Sequence, residues 1–120
     1  MPGRPGRSPR EVLESHLALR KAGDLESDLA ENYAEDVRLL TTGEGLNHGH
    51  DGVRKLAEVL RTYLPDGNYA YEQVLVDGDV GMLTWTGRGD DAVVHDGADS
   101  FVIRDGLIRA QTIHYSTRER

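Results

Sequence analysis

From residue 69 onward the chain consists of four stretches in which apolar and polar side chains alternate: residues 69–76, 80–88, 93–104 and 107–116. Alternation at period two marks strands that bury one face. The separators are Asp77-Gly78-Asp79, a Gly/Asp-rich segment, and Asp105-Gly106. Asp-Gly between two apolar runs is a tight hairpin turn. Before residue 65, apolar residues instead recur every three or four positions. Helices first and a strand meander afterwards predict an α+β fold, with the helices packed on one face of an antiparallel sheet.

The first helix opens at Ser8-Pro9-Arg10-Glu11. Ser8 suits the N-cap, Pro9 the first helical position, and Glu11 completes a capping box. Val12, Leu13, His16, Leu17 and Leu19 follow at helical spacing until Gly23. Asp24 caps a second helix whose face is Leu25, Leu29 and Tyr33. Residues 37–42 read as a short strand, and residues 43–52, with four glycines, Asn47, His48 and His50, as a loop. The third helix, residues 53–64, carries the stripe Val53, Leu56, Ala57, Leu60 and Leu64, and Pro65-Asp66-Gly67 stops it.

A chain of 120 residues holds one domain with one core. With 38% apolar and 29% charged residues it is neither disordered nor membrane-spanning, since no apolar run approaches the roughly 18–20 residues a transmembrane helix needs. Residues 1–8 read as a flexible basic arm and not as a secretory signal, which leaves residues 9–118 as the single domain. Without cysteine there is neither a disulfide framework nor a thiolate zinc site, so a cytoplasmic location is expected. Net charge is −7; with the three arginines of the first ten residues set aside, the remainder stands at about −10. Such a surface repels phosphate backbones, so neither nucleic acid nor membrane is expected as a partner.

Within Asp99-Ser-Phe-Val-Ile, period two places Asp99 on one strand face with Phe101 and Ile103. A carboxyl in that company is desolvated, and it either keeps a proton near neutral pH or requires a partner. The competing reading is a carboxylate that bonds loop amides. His16, on the apolar face of helix one beside Leu13 and Leu17, is either a satisfied core histidine or a proton shuttle. A His16–Asp99 pair facing each other across the interior would make an acid–base dyad. Tyr33, a core side chain needing a hydrogen-bond partner, completes the catalytic candidates. Leu83 and Trp85 share one face, and Gln111, Ile113 and Tyr115 another. With Leu13, Leu56, Tyr63 and Phe101 they form the expected substrate-binding wall, suited to a flat apolar ligand. His48, His50 and Asp51 admit a zinc or iron reading. The preferred alternative is a Gly-rich loop whose histidines cap helix three, so no metal and no cofactor is expected.

The strand at 69–76 reads as apolar on both faces, Tyr69, Tyr71 and Leu75 opposing Ala70, Val74 and Val76. A second copy packed sheet to sheet, a homodimer through the outer face, covers the side the helices leave bare.

Four segments, Ala22-Gly23-Asp24-Leu25-Glu26, Tyr33-Ala34-Glu35-Asp36-Val37, His48-Gly49-His50-Asp51-Gly52-Val53 and the 99–108 hairpin, resemble the nuclear transport factor 2-like superfamily. Within it they are most similar to the SnoaL-like polyketide cyclase and ketosteroid isomerase branch. The resemblance implies three N-terminal helices on a strongly curved, mixed but mostly antiparallel sheet. That sheet forms a cone around an apolar pocket and is usually dimeric. Asp99 matches the strand acid that ketosteroid isomerases hold protonated in their oxyanion hole. His16 stands near the helix-one tyrosine of that hole, and Tyr33 matches a supporting tyrosine on helix two. Thr41 or Thr42 falls where those enzymes place the general-base aspartate, and the relay of a limonene-type epoxide hydrolase is not assembled. The implied function is cofactor-free acid–base chemistry (isomerisation, cyclisation or elimination) on an apolar carbonyl compound. The alternative is a non-catalytic ligand-binding or dimeric interaction domain.

Overall fold

The computed structural model describes residues 6–65 and 68–120. Most of the N-terminal arm and the Asp66-Gly67 part of the expected helix stop therefore lie outside the described residues. Helix α1 (Pro9–Lys21) begins with the expected capping box: Ser8 Oγ accepts from the Glu11 amide, and the Glu11 carboxylate accepts from the Ser8 amide. Helix α2 (Leu25–Asn32) is capped by Asp24, which accepts from the Ser27 amide. Strand β1 (Tyr33–Thr41) turns into β2 (Gly45–His48), followed by α3 (Gly49–Tyr63). Strands β3 (Tyr69–Asp77), β4 (Val80–Arg88), β5 (Ala92–Arg104) and β6 (Leu107–His114) complete the meander, and a short β7 (Arg118–Glu119) pairs with β5. No helix among the described residues is long and apolar enough to cross a membrane.

The sheet order is β2-β1-β6-β5-β4-β3, antiparallel except where β1 runs parallel to β6. The three helices pack on a mixed, mostly antiparallel curved sheet, as the α+β reading required. Register shifts between β3 and β4, β4 and β5, and β5 and β6 add local bends and strengthen the twist. The concave face is lined by Leu83 and Trp85 of β4, Phe101 and Ile103 of β5, and Val12 and Leu13 of α1, all buried.

Several local expectations require correction. Tyr33 is not on α2: the helix ends at Asn32, and Tyr33 pairs with Ile108 as the first residue of β1. Sheet pairing of an aromatic residue outweighs its four-residue spacing from Leu29. Residues 43–52 are not all loop, because β2 and the first turn of α3 lie within them. Gly52 serves close packing there: a Cβ would stand 3.1 Å from Leu39 Cδ1 and 3.2 Å from Asn47 Cβ. His48 occupies the α3 N-cap but makes no side-chain capping bond, while His50 Nε2 meets the Tyr33 carbonyl at 3.1 Å.

Strand β3 is not simply apolar on both faces. The shift after Tyr71 leaves Glu72 unpaired, so Tyr71 faces Trp85 and Val74 faces Leu83. Tyr69, Tyr71, Val74 and Val76 thereby share the concave side, and Leu75 joins Met82 on the convex side. Gly97 lies across from Trp85, and any Cβ there would collide with the indole ring. Gly97→Ala is expected to cost about 2–3 kcal/mol and to displace Trp85, the single tryptophan. Urea unfolding followed by tryptophan emission measures both effects.

Candidate functional site

Between α1, α3 and the concave face lies a cavity of about 300 Å³. Leu17 of α1 and Val53, Leu56, Ala57 and Leu60 of α3 form its apolar roof, while exposed Gly43, Glu44, Ser116 and Thr117 stand at the rim. His16 and Asp99 both line it and are 5% and 8% exposed.

They do not bond to each other across it; each has its own anchors. His16 Nδ1 lies 2.8 Å from Oδ2 of Asp28, a fully buried carboxylate on α2. With a carboxylate at that distance Nδ1 carries a hydrogen, and Nε2 is the ring nitrogen without a hydrogen-bond partner among the described residues. Asp28 Oδ1 accepts from Asn32 Nδ2 at 2.9 Å, Asn32 Oδ1 accepts from Arg7 at 3.0 Å, and Asn32 also donates to Ser15 Oγ. Arg7, at the base of the arm, is held further by the Glu31 and Gly106 carbonyls. Edge contacts with Tyr33 and Phe101, centroids 5.6 and 5.5 Å away, fix the imidazole plane.

Asp99 accepts from Trp85 Nε1 at 3.2 Å and from Gln111 Nε2 at 3.0 Å. Gln111 in turn accepts from the Tyr33 hydroxyl at 2.5 Å. Burial pushes the Asp99 carboxyl up to about 6, overcoming the opposing effects of those two hydrogen bonds and of the His16 and Arg20 charges. Both carboxyl oxygens already accept from fixed donors. Among the described residues Asp99 donates to no protein acceptor. Burial likewise raises Tyr33 well above the usual phenol range, and Tyr71 and Tyr115 to about 12, so these hydroxyls stay neutral.

A SnoaL-like domain model matches residues 13–111. The chain belongs to the SnoaL-like family. This places it in the nuclear transport factor 2-like superfamily, whose solved members share its fold. Among similar structures is a protein called TerC, co-crystallised with polyporic acid, with 21% identity, 90% of this chain and 91% of that one covered, and a TM-score of 0.70. Another is a provisional ketosteroid isomerase of Kribbella flavida, with 18% identity, coverages of 90% and 77%, and a TM-score of 0.74. A provisional SnoaL-like polyketide cyclase of Mesorhizobium loti shows 17% identity, coverages of 91% and 100%, and a TM-score of 0.64. At these identities the likeness establishes the fold alone. No curated protein matches the chain significantly.

Of the expected wall, Leu56, Tyr63, Leu83, Trp85, Gln111, Ile113 and Tyr115 line the cavity, as do Tyr33, Thr41 and Thr42. Leu13 and Phe101 do not. At 0% and 1% exposure they are packed beneath its surface, because α1 lies directly on the sheet at that point. Trp85 meets Tyr69 and Tyr115 at 5.8 and 5.6 Å, so aromatic rings from β3, β4 and the residue just after β6 converge. Sequence reasoning missed Asp28 and Arg20. The only signals were positional: Asp28 stands three residues beyond Leu25 on α2, and Arg20 one turn beyond His16 on α1.

A pH test follows from the raised Asp99. Between pH 4 and 6 the folded chain holds a proton that the unfolded chain, at 3.8, has lost. The contribution of this residue to stability is complete below the unfolded value and is lost as pH rises through about 6. Relative to Asp99→Asn, which has no proton to lose, the wild type should weaken by up to about 3 kcal/mol between pH 4 and 7. Urea unfolding of both proteins at the two pH values measures the difference.

Proposed function

We propose that the cavity binds an apolar carbonyl compound and transfers protons on it without a cofactor, in an isomerisation, cyclisation or elimination. The supporting observation is the placement of two differently anchored proton-exchanging groups, His16 and Asp99, on the wall of one largely apolar cavity. In this reading His16 Nε2 removes a proton from the carbon next to the carbonyl, and Asp28 steadies the imidazolium formed. The electron pair moves to the carbonyl oxygen, which accepts the Asp99 proton in a hydrogen bond. Tyr33 acts through Gln111 to orient Asp99, while Trp85 and Tyr115 pack the ligand. Thr41 and Thr42 at the rim carry no carboxylate, so the base role falls to His16 and the ketosteroid isomerase reaction is not proposed.

The test uses 2-acetonaphthone in D₂O. Wild type should show saturable shifts of the His16 ring signals and faster exchange of the ketone's methyl protons for deuterium. His16→Gln and Asp99→Asn should each slow the exchange about 100-fold while still binding the ketone. Exchange no faster than in buffer, with binding intact, would establish the second reading, a non-catalytic ligand carrier. That reading is favoured by the two threonines at the position of the isomerase base.

We further infer that a second copy covers the convex face. Leu40, Leu75, Val80 and Met82 are 42–51% exposed there, and Leu75 pairs directly with Met82. Sedimentation at micromolar concentration should give twice the 13.3 kDa chain mass, and Met82→Glu should halve it. A wild-type monomer overturns the pairing.

A further inference from the structure

Arg20 stands four residues beyond His16 on α1, and therefore on the same helix face, about 6 Å farther along the axis. It is part of the cavity lining, together with His16, Tyr33 and Asp99. Apart from the His16 imidazole it is the only basic side chain on that lining. Its charge reaches inward: it favours ionisation of Asp99, Tyr33, Tyr69 and Tyr71, all on the cavity side. The exposed arginines Arg54, Arg61 and Arg104 each hold a carboxylate. Among the described residues Arg20 meets none. An arginine in the last turn of a helix also complements the helix dipole, but a side chain turned to solvent would do so equally well. The other ionised group at the rim, Glu44, is already 4.0 Å from Lys55.

We propose that Arg20 is a specificity residue that reads an anionic oxygen of the ligand, so that the preferred substrates are apolar keto acids rather than neutral ketones. This rests on the cavity being the ligand site. The carbonyl would lie between His16 and Asp99, and the carboxylate, or an equivalent anionic oxygen, one helical turn away toward Tyr69 and Tyr71. A guanidinium offers two parallel N–H donors to such a group, a geometry that an ammonium lacks.

The test compares 2-naphthoate with 2-acetonaphthone, similar in size and differing in charge, by quenching of Trp85 emission. Wild type should bind the acid about tenfold more tightly. Arg20→Gln should remove that preference and leave ketone affinity within twofold, while Arg10→Gln, which alters an exposed cation in the first turn of the same helix, should leave the preference intact. Equal binding of acid and ketone by wild type, or a preference that survives Arg20→Gln, overturns the proposal and leaves the ketone-binding reading standing. Quenching by neither compound overturns both.

Discussion

A row of hydrogen bonds crosses four adjoining strands on the concave side of the sheet: Trp85 of β4 to Asp99 of β5, Asp99 to Gln111 of β6, and Gln111 to Tyr33 of β1. These are the polar groups that must be satisfied if the inner face is to stay otherwise apolar. An unmatched member would carry a desolvation cost of about 1–3 kcal/mol. The row also determines what the cavity can do. It holds the Asp99 carboxyl in place with both oxygens occupied, while burial makes its charged form costly. The same desolvation that threatens stability thus brings the proton affinity of the group near physiological pH.

A second polar chain, Arg7 to Asn32 to Asp28 to His16, runs through the helical layer and ends at the same cavity. The two chains come from opposite layers and share no hydrogen bond, touching only where the His16 ring meets the edge of Tyr33. Each supplies one proton-exchanging group with its own hydrogen-bond support, so the acid and the base are anchored differently. Different surroundings are what allow two titratable groups to take different roles. A direct hydrogen bond between His16 and Asp99 would have tied their protons together instead.

The α+β class, the start of α1, β4 and the two-residue turn before β6 were legible because their causes are local. Caps, Asp-Gly turns and strict alternation act within a few residues. Asp99 was also legible, since its face is shared with Phe101 and Ile103. The faces of β3 were not. One extra residue at Glu72 reverses every side chain after it, and no feature of the strand itself announces the shift. The partner of His16 was missed for a related reason. Asp28 and Asn32 look like ordinary polar residues of a short helix until the packing of α1 against α2 buries them.

Sequence alone determined the three helices, the four long strands of the meander and that an acid would be desolvated on the inner face, because propensity, capping and period two are properties of neighbouring residues. Tertiary structure decided which carboxylate meets His16, which residues form the cavity wall and which sit beneath it, and that Arg20 borders the cavity. Those outcomes depend on where strands bend and how closely helices approach the sheet. Both are set by the packing of the whole chain around one core, not by any window of it.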